Sequence, residues 1–156
     1  MKRKWWLLIK CLLIPLAVGA LSAWLSGNGM ETFSQLEQPP LSPPGWLFPV
    51  VWTILYLLMG FSSWLVLTSE APAHEIKRAM TLYGLQLTVN FFWSIIFFGV
   101  GMYCFAFVWL LLLWVLIIGT MIRFYRIRQA AGELLLPYFL WVTFAGYLNL
   151  GVCLLN

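Results

Sequence analysis

Five apolar runs of about 20–25 residues, joined by short connections, leave this chain essentially one kind of fold. They lie at about residues 6–27, 46–68, 79–99, 103–124 and 134–155. Inside hydrocarbon the backbone N–H and C=O groups have no water to pair with, so each run must close its own hydrogen bonds as an α-helix. The expected fold is an all-α integral membrane protein: one bundle of five transmembrane helices over residues 1–156, with a long loop at 28–43. Composition agrees, at 63% hydrophobic and 9% charged residues, against roughly 45–50% and 25% in ordinary soluble domains. No length remains for a soluble domain beside the bundle.

The charges orient the bundle. Lys2, Arg3, Lys4 and Lys10 lie in or before the start of the first span, Lys77 and Arg78 in the second connection, and Arg123, Arg126 and Arg128 around the fourth. Alternate connections share a membrane face, so all nine cations fall on one side, the positive-inside pattern. The N-terminus is therefore expected in the cytoplasm, with the C-terminus and loop 28–43 on the outer face. The same clustering explains the net charge of +4 without nucleic acid as a partner. A signal peptide is disfavoured because Lys10 interrupts the first apolar run.

Metal and thiol chemistry find little support. Cys11, Cys104 and Cys153 are isolated, near span ends, and form no C-x-x-C pair, so they are expected to be small apolar packing residues. His74, the single histidine, lies in the second connection between Glu70 and Glu75 and is expected to be a solvated surface residue. No metal site and no cofactor are expected.

What a membrane span does not need is more informative. Residues 39–60 begin as a proline-rich loop, which proline's missing N–H keeps out of helix, and Pro44 is placed in the first turn of the following span. On that span Pro49, Trp52, Tyr56 and Met59 recur at spacings of three and four and share a face. The third span carries Tyr83, Gln86, Asn90, Trp93 and Phe97 on one stripe, and the fifth carries Tyr138, Trp141, Ala145 and Asn149. Amides in hydrocarbon must face the bundle interior or a cavity. They serve there either as interhelical hydrogen-bond glue or as polar contacts to an apolar ligand. The fourth span has no polar stripe and reads as a lipid-facing or packing helix. In the first, Gly19, Ala23 and Gly27 form a small-residue ridge, for packing within the protomer or for a dimer seam. Loop 28–43 is either a lid over a cavity or an exposed connector.

Three blocks resemble one family: Pro43-Pro44-x-Trp46-x-Phe48-Pro49-x-x-Trp52-x-x-Leu55-Tyr56-x-x-Met59-Gly60, Gln86-Leu87-x-x-Asn90-x-x-Trp93-Ser94 with Phe97-Phe98-Gly99, and Leu136-Pro137-Tyr138-x-x-Trp141-x-x-Phe144-Ala145-x-x-Leu148-Asn149. They resemble, in order, the translocator protein or tryptophan-rich sensory protein family, also called the peripheral benzodiazepine receptor family. The termini resemble those of a bacterial member, which implies a place in the bacterial cell membrane. The resemblance implies a five-helix bundle, usually a homodimer, that binds porphyrins, haem-related tetrapyrroles and isoquinoline carboxamide or benzodiazepine-type drugs. It places Trp52, Asn90, Trp93, Trp141 and Ala145 at ligand positions, with Phe48, Pro49 and Asn149 lining them. The sterol motif of animal members, a C-terminal Tyr followed by a basic residue, is missing after Tyr147.

The function expected on this basis is a membrane receptor, sensor or transporter-like protein holding porphyrins in an aromatic pocket. The alternative is a light- and oxygen-dependent porphyrin-degrading enzyme. No acid–base pair or activated nucleophile supports conventional catalysis, which leaves Trp52 and Trp141, with Trp93, as the redox-active candidates. A proton-coupled pump is disfavoured, because all five glutamates lie in connections or at a helix start.

Overall fold

The structure, a computed structural model, describes all 156 residues. Seven α-helices run in order: α1 (Lys2–Leu25), α2 (Gly29–Ser34), α3 (Leu47–Leu67), α4 (Ala73–Ser94), α5 (Tyr103–Ile127), α6 (Gln129–Glu133) and α7 (Leu136–Leu155). A π-helical segment, Ile95–Val100, continues α4. Five helical stretches are long and apolar enough to span a membrane, as the hydropathy predicts: α1, α3, α4 with its π segment, α5, and α6 with α7.

The bundle is a ring in which α1 packs on α3 and α4, α4 on α5, and α5 on α7. Aromatic contacts close it between α7 and α3, where Phe48 meets Trp141 edge-on at 5.9 Å and Trp52 meets Tyr138 at 6.2 Å. These pairs also set the axial offset of the two helices. Residues near the start of α3 oppose the first half of α7. The rest of α7 is covered by the proline-rich segment, with Pro39 seated on Gly151 and the Tyr147 hydroxyl donating to the Pro40 carbonyl at 2.7 Å.

Several boundaries differ from the hydropathy reading. The second connection is shorter than expected, because α4 begins at Ala73 and takes in His74, Glu75, Lys77 and Arg78; His74 is exposed. Hydropathy cannot mark a helix that extends into the aqueous face. Pro49, not Pro44, occupies the first turn of α3; Pro44 precedes the helix and accepts a hydrogen bond from Leu47. Pro49 is tolerated there because a first-turn N–H has no intrahelical partner to lose. The turn expected at residues 99–101 shrinks to Gly101 and Met102, since the π segment reaches Val100; Gly101 has a left-handed φ of 75°.

The cysteines require the largest correction. Cys104 and Cys153 are not isolated packing residues but form a disulfide, their Cα atoms 4.9 Å apart. The first turn of α5 and the last turn of α7 meet at the same end of the bundle, and a sequence separation of 49 residues concealed it. Cys11 is the free, buried cysteine.

Candidate functional site

Between α1, α3 and α4, under α2, lies a cavity of about 440 Å³. From α3 come Phe48, Pro49, Trp52 and Tyr56, one helical face. From α4 and its π extension come Asn90, Trp93, Ser94 and Phe98. The third wall is α1, whose Gly19, Ala23 and Gly27 lie along the cavity with Ser22 and Ser26 between them. Met30 of α2 forms part of the roof.

Each wall is positioned by identifiable contacts. Gly19 matters because a Cβ there would collide with the Tyr56 ring, so only glycine lets this ring lie against α1. The Tyr56 hydroxyl donates to Asn90 Oδ1 at 2.9 Å, and Trp52 stacks on Tyr56 with centroids 5.6 Å apart. Trp93 stands 6.3 Å from Trp52 and stacks on Phe97 at 5.4 Å. The π segment has a purpose here. By widening the turn it turns both Phe97 and Phe98 toward Phe33 of α2, at 5.8 Å each, while Phe48 meets Phe33 at 5.6 Å. This cage buries Phe33 and pins α2 over the bundle. Within loop 28–43, α2 is therefore packed down on the bundle end.

Most of the amides on the predicted stripes bond to other helices. Asn90 Nδ2 donates to the Tyr138 hydroxyl at 2.8 Å, which donates to Gln86 Oε1 at 2.7 Å. Trp93 Nε1 donates to Asn149 Oδ1 at 3.1 Å, and Asn149 Nδ2 donates to the Tyr103 carbonyl at 2.7 Å. These chains join α3, α4, α5 and α7. Asn90 still has one N–H and one acceptor lone pair free, so it serves as glue and retains some capacity toward the cavity.

The sequence-predicted site residues therefore separate. Phe48, Pro49, Trp52, Asn90 and Trp93 line one cavity. Trp141 lies behind Phe48 and lines a shallow groove between α3 and α7 with Pro137 and Phe144. Ala145 is buried, and Asn149 supports Trp93 without reaching the cavity lining. The α1 wall was missing from the predicted set. Its signal was the small-residue ridge, whose inward direction the sequence left open. Nothing brings three His, Cys, Asp or Glu side chains together as a metal site.

The model of the TspO/MBR family matches residues 11–155 of the chain. The chain belongs to the TspO/MBR family. Similar relatives include the tryptophan-rich protein TspO of Chlorobaculum tepidum, 39% identical over 94% of this chain and 93% of the relative. Protein CrtK of Rhodobacter capsulatus is 36% identical, covering 80% and 78% respectively, and the translocator protein of Bos taurus is 33% identical, covering 88% and 82%. As a TspO/MBR member with five apolar spanning helices, the chain is an integral, multi-pass membrane protein. The three sequence blocks fall inside the matched region, and the first two of them supply two of the cavity walls.

Proposed function

We propose that this protein is a membrane receptor or sensor whose cavity between α1, α3 and α4 holds flat, largely apolar aromatic molecules, porphyrins and related tetrapyrroles first among them. Family membership supports the sensor- or receptor-type role. The observation that carries the ligand class is the pairing of Trp52 and Trp93, tilted 36° and 6.3 Å apart on one cavity, with the Asn90 amide beside them. Indole faces stack on conjugated rings, and a single amide with spare capacity orients a polar edge. At about 440 Å³ the cavity falls within the range of small-molecule sites. Isoquinoline carboxamide and benzodiazepine-type compounds share this flat aromatic character and belong to the same proposal.

Fluorescence-quenching titration with protoporphyrin tests the assignment. Trp52→Ala and Trp93→Ala are each expected to weaken binding about tenfold or more, from lost stacking of about 1–1.5 kcal/mol plus lost buried area. Trp141→Phe, which alters the α3–α7 groove and touches the cavity only through the far side of Phe48, is expected to stay within about threefold. Loss of affinity in Trp141→Phe alone would move the site to that groove. Running the titration in light and in dark, with and without oxygen, separates binding from porphyrin breakdown.

The N-terminus-inside orientation, the cell membrane and a homodimer are part of the same proposal. The nine cations lie toward one end of the bundle and the cystine at the other, as expected where the outer face is the oxidising one. With the Tyr56 ring against Gly19 and the Gly19, Ala23 and Gly27 ridge along the cavity, the dimer seam is to be sought outside that ridge.

A further inference from the structure

The cystine stands at the origin of two chains of contacts, one ending at the long loop, whose Gln38 side chain donates to the Phe33 carbonyl of α2 at 2.9 Å, and the other at the cavity wall. The first runs through α7. Within one turn of Cys153, Pro39 of the long loop sits against the Gly151 backbone, where an added Cβ would lie 2.5 Å from the proline ring. Three residues beyond Cys153, the Asn156 side chain pairs with both backbone groups of Glu37: its Nδ2 donates to the Glu37 carbonyl at 2.9 Å, and the Glu37 N–H donates to Oδ1 at 3.3 Å. With the bond from Tyr147 to the Pro40 carbonyl, the second half of α7 and Asn156 just after it hold residues 37–40 down over the bundle.

The second chain runs through α5. Cys104 follows Tyr103, whose carbonyl orients Asn149, and Asn149 in turn holds the Trp93 indole N–H. Asn149 lies one helical turn before Cys153. The disulfide therefore closes a loop of contacts from Tyr103 through Asn149 to Cys153 and back to Cys104. Cys104 is exposed and Cys153 half-buried, so the bond can be reached from outside the bundle.

We propose that the Cys104–Cys153 cystine is a redox latch. Oxidised, it fixes the end of α7 where that turn clamps the long loop and aims Asn149 at the cavity wall; reduced, it frees the loop and speeds ligand release. The reductant is a dithiol. Its thiolate attacks one cystine sulfur and forms a mixed disulfide, and the other cysteine leaves with the electron pair of the broken S–S bond and takes a proton. The second thiol of the reductant then displaces the remaining cysteine, so the protein gains two electrons and two protons and the reductant leaves as its own disulfide.

The loop half of the proposal stands without a ligand; the release half rests on the porphyrin reading above. The test uses the whole protein in lipid nanodiscs, oxidised, reduced with dithiothreitol, and as the C104S/C153S variant. A glutamate-specific protease reports on the loop through cleavage after Glu31 and Glu37, with the fragments identified by mass. Cleavage is expected to accelerate about fivefold in both the reduced protein and the variant, equivalent to easing local opening by about 1 kcal/mol. Protoporphyrin dissociation is expected to quicken by a similar factor. Unchanged cleavage on dithiothreitol reduction of the native protein overturns the latch, whether or not the variant folds, and so do free thiols at Cys104 and Cys153 in the air-oxidised protein. Absence of porphyrin binding in every state overturns the ligand reading instead, and the cleavage rates still decide the latch.

Discussion

Replacing Tyr138 by phenylalanine is expected to lower the unfolding free energy by about 2–4 kcal/mol, although the change removes one oxygen and leaves the packing intact. That hydroxyl accepts from Asn90 and donates to Gln86, and it is the point where α7 is bonded to the amides of α4. Without it an amide N–H and an amide oxygen, both on residues 1% exposed, lose their partners in the middle of the bundle. Interhelical hydrogen bonds in membranes average only about 0.6 kcal/mol and reach about 1.7. Two such losses come to about 1.2–3.4 kcal/mol, and the desolvation of two orphaned groups raises this to the stated range. Tyr83→Phe is the matched control. Its hydroxyl is equally buried yet has no hydrogen-bond partner, so its removal is expected to be neutral within about 0.5 kcal/mol or to stabilise. Denaturation curves in mild detergent titrated with a denaturing one measure both. Equal losses in the two variants would show that the network contributes nothing beyond ring packing.

The second large effect is expected at Gly60. Its missing Cβ is where the Cys11 carbonyl oxygen and the Leu12 Cα of α1 come closest to α3. Both are helix backbone and cannot swing aside as a side chain would, so Gly60→Leu must push α1 away from α3. The close packing that substitutes for a hydrophobic driving force between membrane helices is then lost. A cost of about 3 kcal/mol or more is expected, at the upper end of overpacking. Because α1 is one wall of the cavity, porphyrin affinity should fall with stability. Gly84→Ala in α4, where nothing lies within 4 Å of an added Cβ, is expected to be neutral or to stabilise by up to about 1 kcal/mol. The same denaturation measurement, with a titration alongside, checks both.

These contrasts mark where sequence reading stops. Tyr83 and Tyr138 are both tyrosines on inward-facing stripes, and Gly60 and Gly84 are both glycines in apolar helices. Helical periodicity tells that a residue faces inward but not what it faces. Asn90 and Asn149 show the same boundary. Their spacing placed them inside the bundle, correctly, and could not say whether each would meet a ligand, another helix or both. For Trp141 the resemblance implies a ligand position, whereas the axial offset of α7 against α3 puts Phe48 between it and the cavity.

The sequence by itself determined the five spanning helices, the end of the bundle that carries the cations, the faces turned inward and the family. These follow from properties local to each segment: hydrocarbon demands long helices with closed hydrogen bonds, and it expels charge and amides. Only the tertiary structure decided that α1 completes the cavity, that Cys104 meets Cys153, and that the proline-rich stretch covers the second half of α7 while its helix, α3, bears Trp52. The reason is that lipid is as apolar as the helices it surrounds, so burial does not select which helix lies beside which or at what height. Close backbone approach at Gly19, Gly60 and Gly151, the aromatic contacts of Phe33 and Phe48, and the hydrogen bonds of Asn90 and Asn149 make that choice, each between residues far apart in the chain.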